Sequence, residues 1–240
     1  MTEPLFELWI YLSTTPLLGL TLTLSAYLLA DALYSRTGRH PLANPVLWSV
    51  LALSGLLWAT DTDYGRYFEG AQFIHFLLGP ATVALAVPLY TAIKQAARSL
   101  LAATAAVLSG AVAASVSAIG LAWLFGAGEA TLLSLAPKSV TTPIAMGISD
   151  RIGGLPSLTA VLVILAGVLG AVIGPPLLSA FRIKDWRARG LALGVTGHGI
   201  ATARALSVHP VAGAFSSLAM GLNGVATAIL VPLAITLLMG

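Results

Sequence analysis

The stretch APKSVTTPIAMGIS, residues 136–149, decides how the rest of the chain is interpreted. It places one lysine and several hydroxyl side chains in a sequence that is otherwise almost entirely apolar. Pro137 and Pro143 lack a backbone N–H, so a continuous helical hydrogen-bond ladder is not expected there. Such broken backbone is tolerated at membrane depth only where it is buried in protein or lines a watery cavity. The stretch therefore predicts an interrupted membrane element, with Lys138 as the first candidate functional residue.

Composition indicates a membrane protein. The 240 residues are 58% hydrophobic and only 9% charged, whereas soluble domains carry roughly 25% charged residues. The net charge of +3 comes from basic residues in short loops, where they orient membrane helices and do not indicate nucleic acid. The absence of cysteine excludes disulfides, thiol chemistry and cysteine metal sites. The first residues, MTEPLFELW, lack a basic region and a cleavage site, so no removable signal peptide is expected.

The apolar runs predict an all-α polytopic membrane protein with about seven to eight hydrophobic segments. We expect N-terminal scaffold helices in residues 1–66 and a repeat-built transport region in 67–240, within a single integrated membrane domain. Basic loops at 36–39, 94–98 and 182–189 are expected in the cytoplasm. All three can lie on that side only if 136–149 re-enters the membrane without crossing it. The alternative has eight full crossings and places one basic loop outside the cytoplasm.

An internal repeat is suggested by two stretches that resemble each other. Gly79, Pro88, Leu89, Ala92 and Lys94 match Gly167, Pro176, Leu177, Ala180 and Arg182. Each stretch is followed by a small-residue-rich helix and then a polar element, SLAPKSVTTP in one half and SLAMGLNGVA in the other. We therefore expect two discontinuous or re-entrant elements, the second broken at MGLNG, residues 220–224. Paired interruptions indicate a transporter site at the repeat interface, and chance similarity between alanine-rich segments is the alternative.

Four long motifs resemble the LrgB/CidB family: APKSVTTPIAMGIS, GGLPSLTAVLVILAGVLGAVIGP, RGLALGVTGHGIATARAL and GAFSSLAMGLNGVATAILVPL. Members of that family are described as antiholin-like regulators of murein hydrolases. Relatives include the plastid glycolate/glycerate translocator, and bacterial members are associated with transport of pyruvate and similar carboxylates. The resemblance implies a multi-pass protein of the bacterial cytoplasmic (inner) membrane, with a small membrane partner of the LrgA/CidA type.

The polar residues of these stretches predict an anion site. Arginine offers a planar fork for a carboxylate, lysine supplies a compact charge, and broken helices add positive dipole ends. A small hydroxy- or keto-monocarboxylate would satisfy such a site. His198 is also the candidate for proton coupling, because the unperturbed pKa of histidine is about 6.5. The candidates for substrate binding are Lys138, Ser139, Thr141, Thr142, Thr196, His198, Thr202, Arg204 and Asn223.

Each candidate also has a purely structural interpretation. Lys138 and Arg204 could extend from helix ends to the membrane interface. His198 could hold helices together through a carbonyl group. The hydroxyl residues that follow Lys138 could cap backbone groups freed by the prolines, and Asn223 could be a turn residue.

Two functions from different classes follow. The first is a transporter or facilitator of small monocarboxylates of the pyruvate, glycolate, glycerate or lactate type. The alternative is an antiholin-like regulator of a pore-forming LrgA/CidA-type partner, which affects murein hydrolase activity and lysis.

We expect no metal or other cofactor, because His198 has no carboxylate or cysteine beside it. We expect no enzymatic activity, because no GxSxG-type motif occurs. The small residues of run 100–125 could pack within the protomer or across a dimer, and we predict a homodimer.

Overall fold

The computed structural model describes residues 16–40, 43–77 and 97–239, together with positions 80, 83, 84, 87 and 90. These described residues contain helices and no strands, which confirms the all-α fold class. The helices are α1 (Pro16–Arg36), α2 (Pro45–Ala59), α3 (Tyr64–Phe76), α4 (Leu100–Leu124), α5 (Glu129–Leu135), α6 (Thr142–Ile152), α7 (Pro156–Ala180), α8 (Trp186–Val208) and α9 (Pro210–Met239).

Four of these helices are long and apolar enough to cross a membrane. They comprise Leu17–Arg36 in α1, all of α4, all of α7, and Pro210–Leu237 in α9. The apolar helix α2 has 15 residues, fewer than the roughly 20 residues that a spanning helix needs. The number of seven to eight hydrophobic segments stays a prediction.

Local sequence explains several helix ends. Proline lies in the first turn of α2, α6 and α7, where its missing N–H has no helical partner to lose. Asn44 and Asp185 cap α2 and α8, because their side chains accept hydrogen bonds from the backbone N–H groups of Leu47 and Arg187. Gly153 ends α6 in the left-handed conformation, with φ of 86°, which glycine adopts without steric cost.

The chain divides into two compact units, residues 1–84 and 85–240. In the first unit, α1 packs against α2 and α3. Gly19 of α1 lies so close to the backbone oxygen of Tyr67 that a Cβ would collide with it. The hydroxyl groups of Thr23 and Tyr67 are joined by a hydrogen bond of 2.6 Å. The predicted boundary between scaffold and transport regions at residues 66 and 67 stays a prediction.

The first copy of the predicted repeat cannot be compared with the second. Its matching residues, Gly79, Pro88, Leu89, Ala92 and Lys94, lie outside the described residues. The internal repeat therefore stays a prediction.

In the second unit, α8 doubles back on itself at Gly197 and His198. Their backbone is not helical: φ and ψ are −127° and 16° at Gly197, and 38° and −130° at His198. The two ends of α8 come together, because the ring of Trp186 at its start stacks on the ring of His209 just beyond its end. The ring centroids lie 4.6 Å apart. We call Trp186–Val208 the α8 hairpin.

Both halves of the α8 hairpin pack on the same part of α9. In the first half, Gly190 lies against the backbone of Ala212, and Gly194 lies against the backbone of Ser216. In the second half, the Thr202 hydroxyl is 2.8 Å from the hydroxyl of the same Ser216. The first half therefore runs parallel to α9 and the second half runs antiparallel to it.

A second hairpin is formed by α5, α6 and the turn between them, residues 136–141. Beyond α6, the N–H of Leu155 donates to the Ser134 hydroxyl over 2.8 Å. The Thr159 hydroxyl lies 3.1 Å from the backbone oxygen of Ser134 and 2.7 Å from the hydroxyl of Ser149. The chain thus leaves α5 and returns to it after α6. We call residues 129–152 the α5–α6 hairpin, and the helical interruption expected within 136–149 lies in its turn.

The two hairpins are held at opposite ends of α7. The α5–α6 hairpin contacts the N-terminal end, at Leu155 and Thr159. The α8 hairpin contacts the C-terminal end, where the Arg189 guanidinium donates to the backbone oxygen of Pro175 over 3.1 Å. Glycines give α7 a face that α8 side chains and backbone approach closely. These glycines are Gly167, Gly170 and Gly174.

The predicted break at residues 220–224 is wrong. Helix α9 continues through that stretch, from Pro210 to Met239. Glycine in a membrane helix often serves close packing and need not interrupt the helix. A Cβ on Gly224 would lie 3.2 Å from Ile144 of the α5–α6 hairpin, so this glycine makes room for a neighbour. The second break lies instead in α8.

Candidate functional site

The turns of both hairpins meet at Asn223 in α9. This side chain is fully buried, with 0% of its surface exposed. Its amide nitrogen donates to the backbone oxygen of Ser139 over 2.9 Å and to that of Val195 over 3.3 Å. Ser139 lies in the turn between α5 and α6, and Val195 lies two residues before the break in α8. One amide group therefore ties both turns to α9, and Asn223 is not a turn residue.

His198 holds the turn of the α8 hairpin against α7. Its ring is buried, and its Nε2 lies 3.0 Å from the backbone oxygen of Val163. Because a carbonyl oxygen only accepts hydrogen bonds, Nε2 carries the hydrogen. Val163 also packs in an apolar cluster with Val140 and Ala145 of the α5–α6 hairpin. His198 thus connects elements through a carbonyl group, and its part in proton coupling stays a prediction.

Lys138 lies in the turn of the α5–α6 hairpin. Its side chain is partly exposed, and its Nζ is 3.4 Å from the Ser139 hydroxyl. Thr141 and Thr142 follow on the same turn and are also partly exposed. The Thr141 side chain does not cap α6, so it leaves the N–H groups of the first helical turn to other partners. A cation, hydroxyl groups and a positive helix end therefore share one turn, an arrangement that favours an anion.

The two remaining threonines have different surroundings. Thr196 is exposed, and its hydroxyl donates to the backbone oxygen of Ala192 one turn earlier, over 2.7 Å. It lines an open cavity of about 490 Å³ between α4 and the first half of α8. Thr202 is fully buried and bonded to Ser216. Its hydroxyl therefore joins the second half of α8 to α9.

Arg204 and Lys138 have different neighbours in the structure. Arg204 lies in the second half of α8, and it lines a small cavity with Pro175, Trp186 and Arg189. That cavity is at the C-terminal end of α7, away from the turn that carries Lys138. Substrate contact by either cation stays a prediction. In the part of the chain that the structure describes, no group of three or more His, Cys, Asp or Glu could hold a metal ion.

The break at Gly197 and His198 is the feature that the sequence interpretation missed. The glycines on both sides of His198 are its only sequence signal. Glycine clusters in membrane helices commonly serve close helix packing, so they do not by themselves indicate a break. The positive φ falls on His198 itself, and Gly197 fits close to α7 because it lacks a side chain: a Cβ there would lie 3.2 Å from the backbone oxygen of Gly167.

We expect Asn223→Leu to loosen both turns. The substitution removes the donor to two backbone oxygens, and an unsatisfied buried polar group costs about 1–3 kcal/mol. Thermal unfolding in detergent should show a lower Tm, and residues 136–141 should be cut faster by protease. Thr227→Val is the control with a smaller effect, because among the described residues the Thr227 hydroxyl makes only a long contact of 3.5 Å, to Asn223. An unchanged Tm for Asn223→Leu would show that Asn223 does not hold the two turns to α9.

We expect His198→Gly to be more stable than His198→Ala. Both variants lose the hydrogen bond to Val163, but only glycine adopts φ of 38° with ψ of −130° easily. Backbone strain of this kind is worth about 1–3 kcal/mol. The difference between the unfolding free energies of the two variants measures it. Equal stabilities would show that this backbone is not strained.

Comparison with known proteins places the chain in a family. The model of the LrgB-like family matches residues 23–237. Over 211 residues the chain is 38% identical to the uncharacterized protein YwbG of Bacillus subtilis (strain 168), covering 88% of this chain and 93% of the relative. It is 37% identical over 216 residues to YxaC of the same organism, covering 90% and 94%. An uncharacterized protein of Haemophilus influenzae is 34% identical over 198 residues, covering 82% and 86%. No solved structure matches. The chain therefore belongs to the LrgB-like family.

Proposed function

We propose that this LrgB-like membrane protein is a transporter or facilitator of small monocarboxylates. The supporting observation is that two interrupted elements meet at Asn223 beside a turn that carries a lysine. Discontinuous helices that meet near the bilayer midplane form the substrate sites of many secondary transporters. A substrate of the pyruvate, glycolate, glycerate or lactate type has a carboxylate for Lys138 and a second oxygen for the nearby hydroxyl groups. No cofactor and no chemical step are part of this proposal.

Charge and helix length support a specific placement in the bacterial cytoplasmic membrane. Helices α4, α7 and α9 cross the bilayer, and the two hairpins re-enter it from opposite sides. The segment that joins α7 to α8 carries Arg182 and Lys184, and the first turn of α8 carries Arg187 and Arg189, so the positive-inside rule puts this end in the cytoplasm. The α8 hairpin then enters from the cytoplasm and the α5–α6 hairpin from the outside.

In this arrangement the substrate carboxylate sits between the two turns. Lys138 supplies the charge, and the N-terminal ends of α6 and of the second half of α8 add positive dipole ends. The turn of the α8 hairpin is held by hydrogen bonds at Asn223 and at His198. Breaking such bonds in alternation would open the site first to one side of the membrane and then to the other.

Flux into proteoliposomes tests this proposal. Purified protein would be reconstituted and offered labelled pyruvate, lactate, glycolate and glycerate, with a neutral analogue such as glycerol as the control. We expect saturable uptake of at least one carboxylate and none of glycerol. Uptake no greater than in protein-free vesicles for every carboxylate would contradict the transporter function.

A groove of small side chains favours a second candidate function, regulation of a small LrgA/CidA-type partner. The groove lies between α4 and the first half of α8, and α4 contributes Ala106, Gly110, Ala113, Ala114 and Ser117. Small residues of this kind let another membrane helix approach closely. A second copy of the chain, as in the predicted homodimer, is the other occupant to be tested.

We expect Ala113→Leu to separate the two functions. The larger side chain would fill the groove, so copurification of the LrgA/CidA-type partner and partner-dependent permeability should be lost, while carboxylate flux by the chain alone should persist. Val116→Leu on the same helix is the control of similar chemistry. Partner binding that survives Ala113→Leu would exclude this groove as the docking site, and loss of the homodimer instead would identify a second copy as its occupant.

A further inference from the structure

A basic pocket of about 430 Å³ lies at one end of the second unit, separate from the turns that meet at Asn223. Three parts of the chain form it: the residues just before α4, the α7–α8 turn and the α8–α9 turn. Its charged lining residues are Arg98, Lys184, Arg187 and Asp185. Three cations face one carboxylate, so the pocket carries an excess of positive charge.

Two of these cations are available to a ligand. Arg187 forms an ion pair with Asp185: its guanidinium lies 2.6 Å from the Asp185 carboxylate. This partner also lowers the pKa of Asp185, so the carboxylate stays ionised and bonded to Arg187. By contrast, no hydrogen bond or ion pair joins the side chain of Arg98 or Lys184 to another described residue. Both side chains are exposed.

An aromatic wall lines the same pocket. The rings of Trp186 and His209 are stacked with an interplanar angle of 5°. The N–H of Val211 donates to Nδ1 of His209 over 3.2 Å. The neutral imidazole therefore carries its hydrogen on Nε2. His209 is thus a hydrogen-bond donor without needing to be charged, which adds a neutral donor to the two available cations.

We propose that this pocket binds a phosphate group. A phosphate offers several acceptor oxygens and a charge that an arginine fork and a lysine ammonium, carried on separate parts of the chain, can share. A carboxylate group has only two oxygens and one charge, so it engages fewer of these donors. The phosphate belongs either to the headgroup of an anionic phospholipid or to a soluble phosphate compound. The inference does not depend on the transport proposal, because it uses none of the residues at the hairpin turns.

Binding to the full-length protein in an uncharged detergent tests the inference. The probes are inorganic phosphate, short-chain phosphatidylglycerol and, as the control anion, acetate at matched ionic strength. Binding is read from calorimetry and from the shift in Tm. Lys184→Gln and Arg98→Gln should each weaken phosphate-group binding about tenfold, the scale of one charge-assisted hydrogen bond. Arg151→Gln, at the exposed end of α6, is the matched control and should bind as the wild type does.

The outcomes separate the two sources of phosphate. Saturable binding of both phosphate and phosphatidylglycerol, weakened in the two pocket variants, supports the site and shows that a soluble phosphate suffices. Binding of phosphatidylglycerol alone, with the same losses, supports the site and identifies a lipid headgroup. The inference is overturned if neither probe binds, if acetate binds as tightly, or if Arg151→Gln weakens binding as much as the pocket variants do.

Discussion

Replacing Lys138 with methionine should strongly reduce carboxylate flux and leave the protein folded. Methionine keeps the length and apolar character of the lysine stem and removes only the ammonium group. The lost charge-assisted hydrogen bond to the substrate is worth about 1.5–3 kcal/mol, which corresponds to roughly 10- to 150-fold in affinity. The measurement is uptake of the best labelled monocarboxylate into proteoliposomes, with the Tm of the same preparation as the test of folding.

Two further variants control this experiment. Arg151→Met removes a cation from the same α5–α6 hairpin but at the exposed end of α6, so flux should be close to that of the wild type. Lys138→Arg keeps the charge while changing its geometry, and intermediate flux is expected. Undiminished flux in Lys138→Met would remove the lysine from the substrate site, although the two hairpins would still meet at Asn223.

Gly194→Val should disrupt the packing between the α8 hairpin and α9. A Cβ at this position would collide with the backbone oxygen of Ser216 and would lie 2.8 Å from the Cβ of Ala219. A backbone oxygen cannot rotate away as a flexible side chain can, so the helices must separate. Overpacking of this kind costs about 1–3 kcal/mol and occasionally more. We expect a large loss of Tm and of purified yield.

Gly221→Ala is the matched control for this substitution. It lies in α9, and a Cβ there would have no heavy atom of another described element within 4 Å. Alanine should be neutral or stabilising by about 0.5–1 kcal/mol, because glycine in a helix interior is unfavourable by that amount. A wild-type Tm for Gly194→Val would mean that α8 and α9 do not pack as closely as described.

Together, these variants distinguish residues of the proposed substrate site from residues that hold the helices together. Gly194 and Asn223 belong to contacts between elements, so their loss should lower stability whatever the substrate is. Among the described residues, the Lys138 ammonium makes one long polar contact, 3.4 Å to the Ser139 hydroxyl. Its loss should therefore affect function more than stability. This contrast is what a binding residue on a preformed turn requires.

The sequence predicted the helical class and the interruption beside Lys138 for clear physical reasons. The chain has too few charged residues for a soluble surface, and its apolar runs match helix lengths that span a bilayer. Pro137 and Pro143 remove backbone donors from the middle of one run. Neither feature depends on what the segment packs against.

Glycine is a weaker sequence signal, and it explains the error at residues 220–224. Glycine can end a helix, or it can stay in a helix and bring a neighbour close. At Gly224 the neighbour is Ile144, and the helix continues. At Gly197 the neighbours are Gly167 and Gly170 of α7, whose bare surface accommodates a reversal of the chain. The same residue type therefore had opposite consequences.

The sequence by itself determined an all-helical chain of the LrgB-like family, long apolar helices and a broken segment around Lys138. Only the tertiary structure decided that α8 doubles back and which polar residues become neighbours. The reversal at His198 brings Arg204 close to Trp186 at the other end of the hairpin. Asn223 lies far along the chain from Ser139, yet it bonds to that residue because two hairpins pack on one helix. Such neighbours depend on contacts between distant segments, which no local pattern of residues encodes.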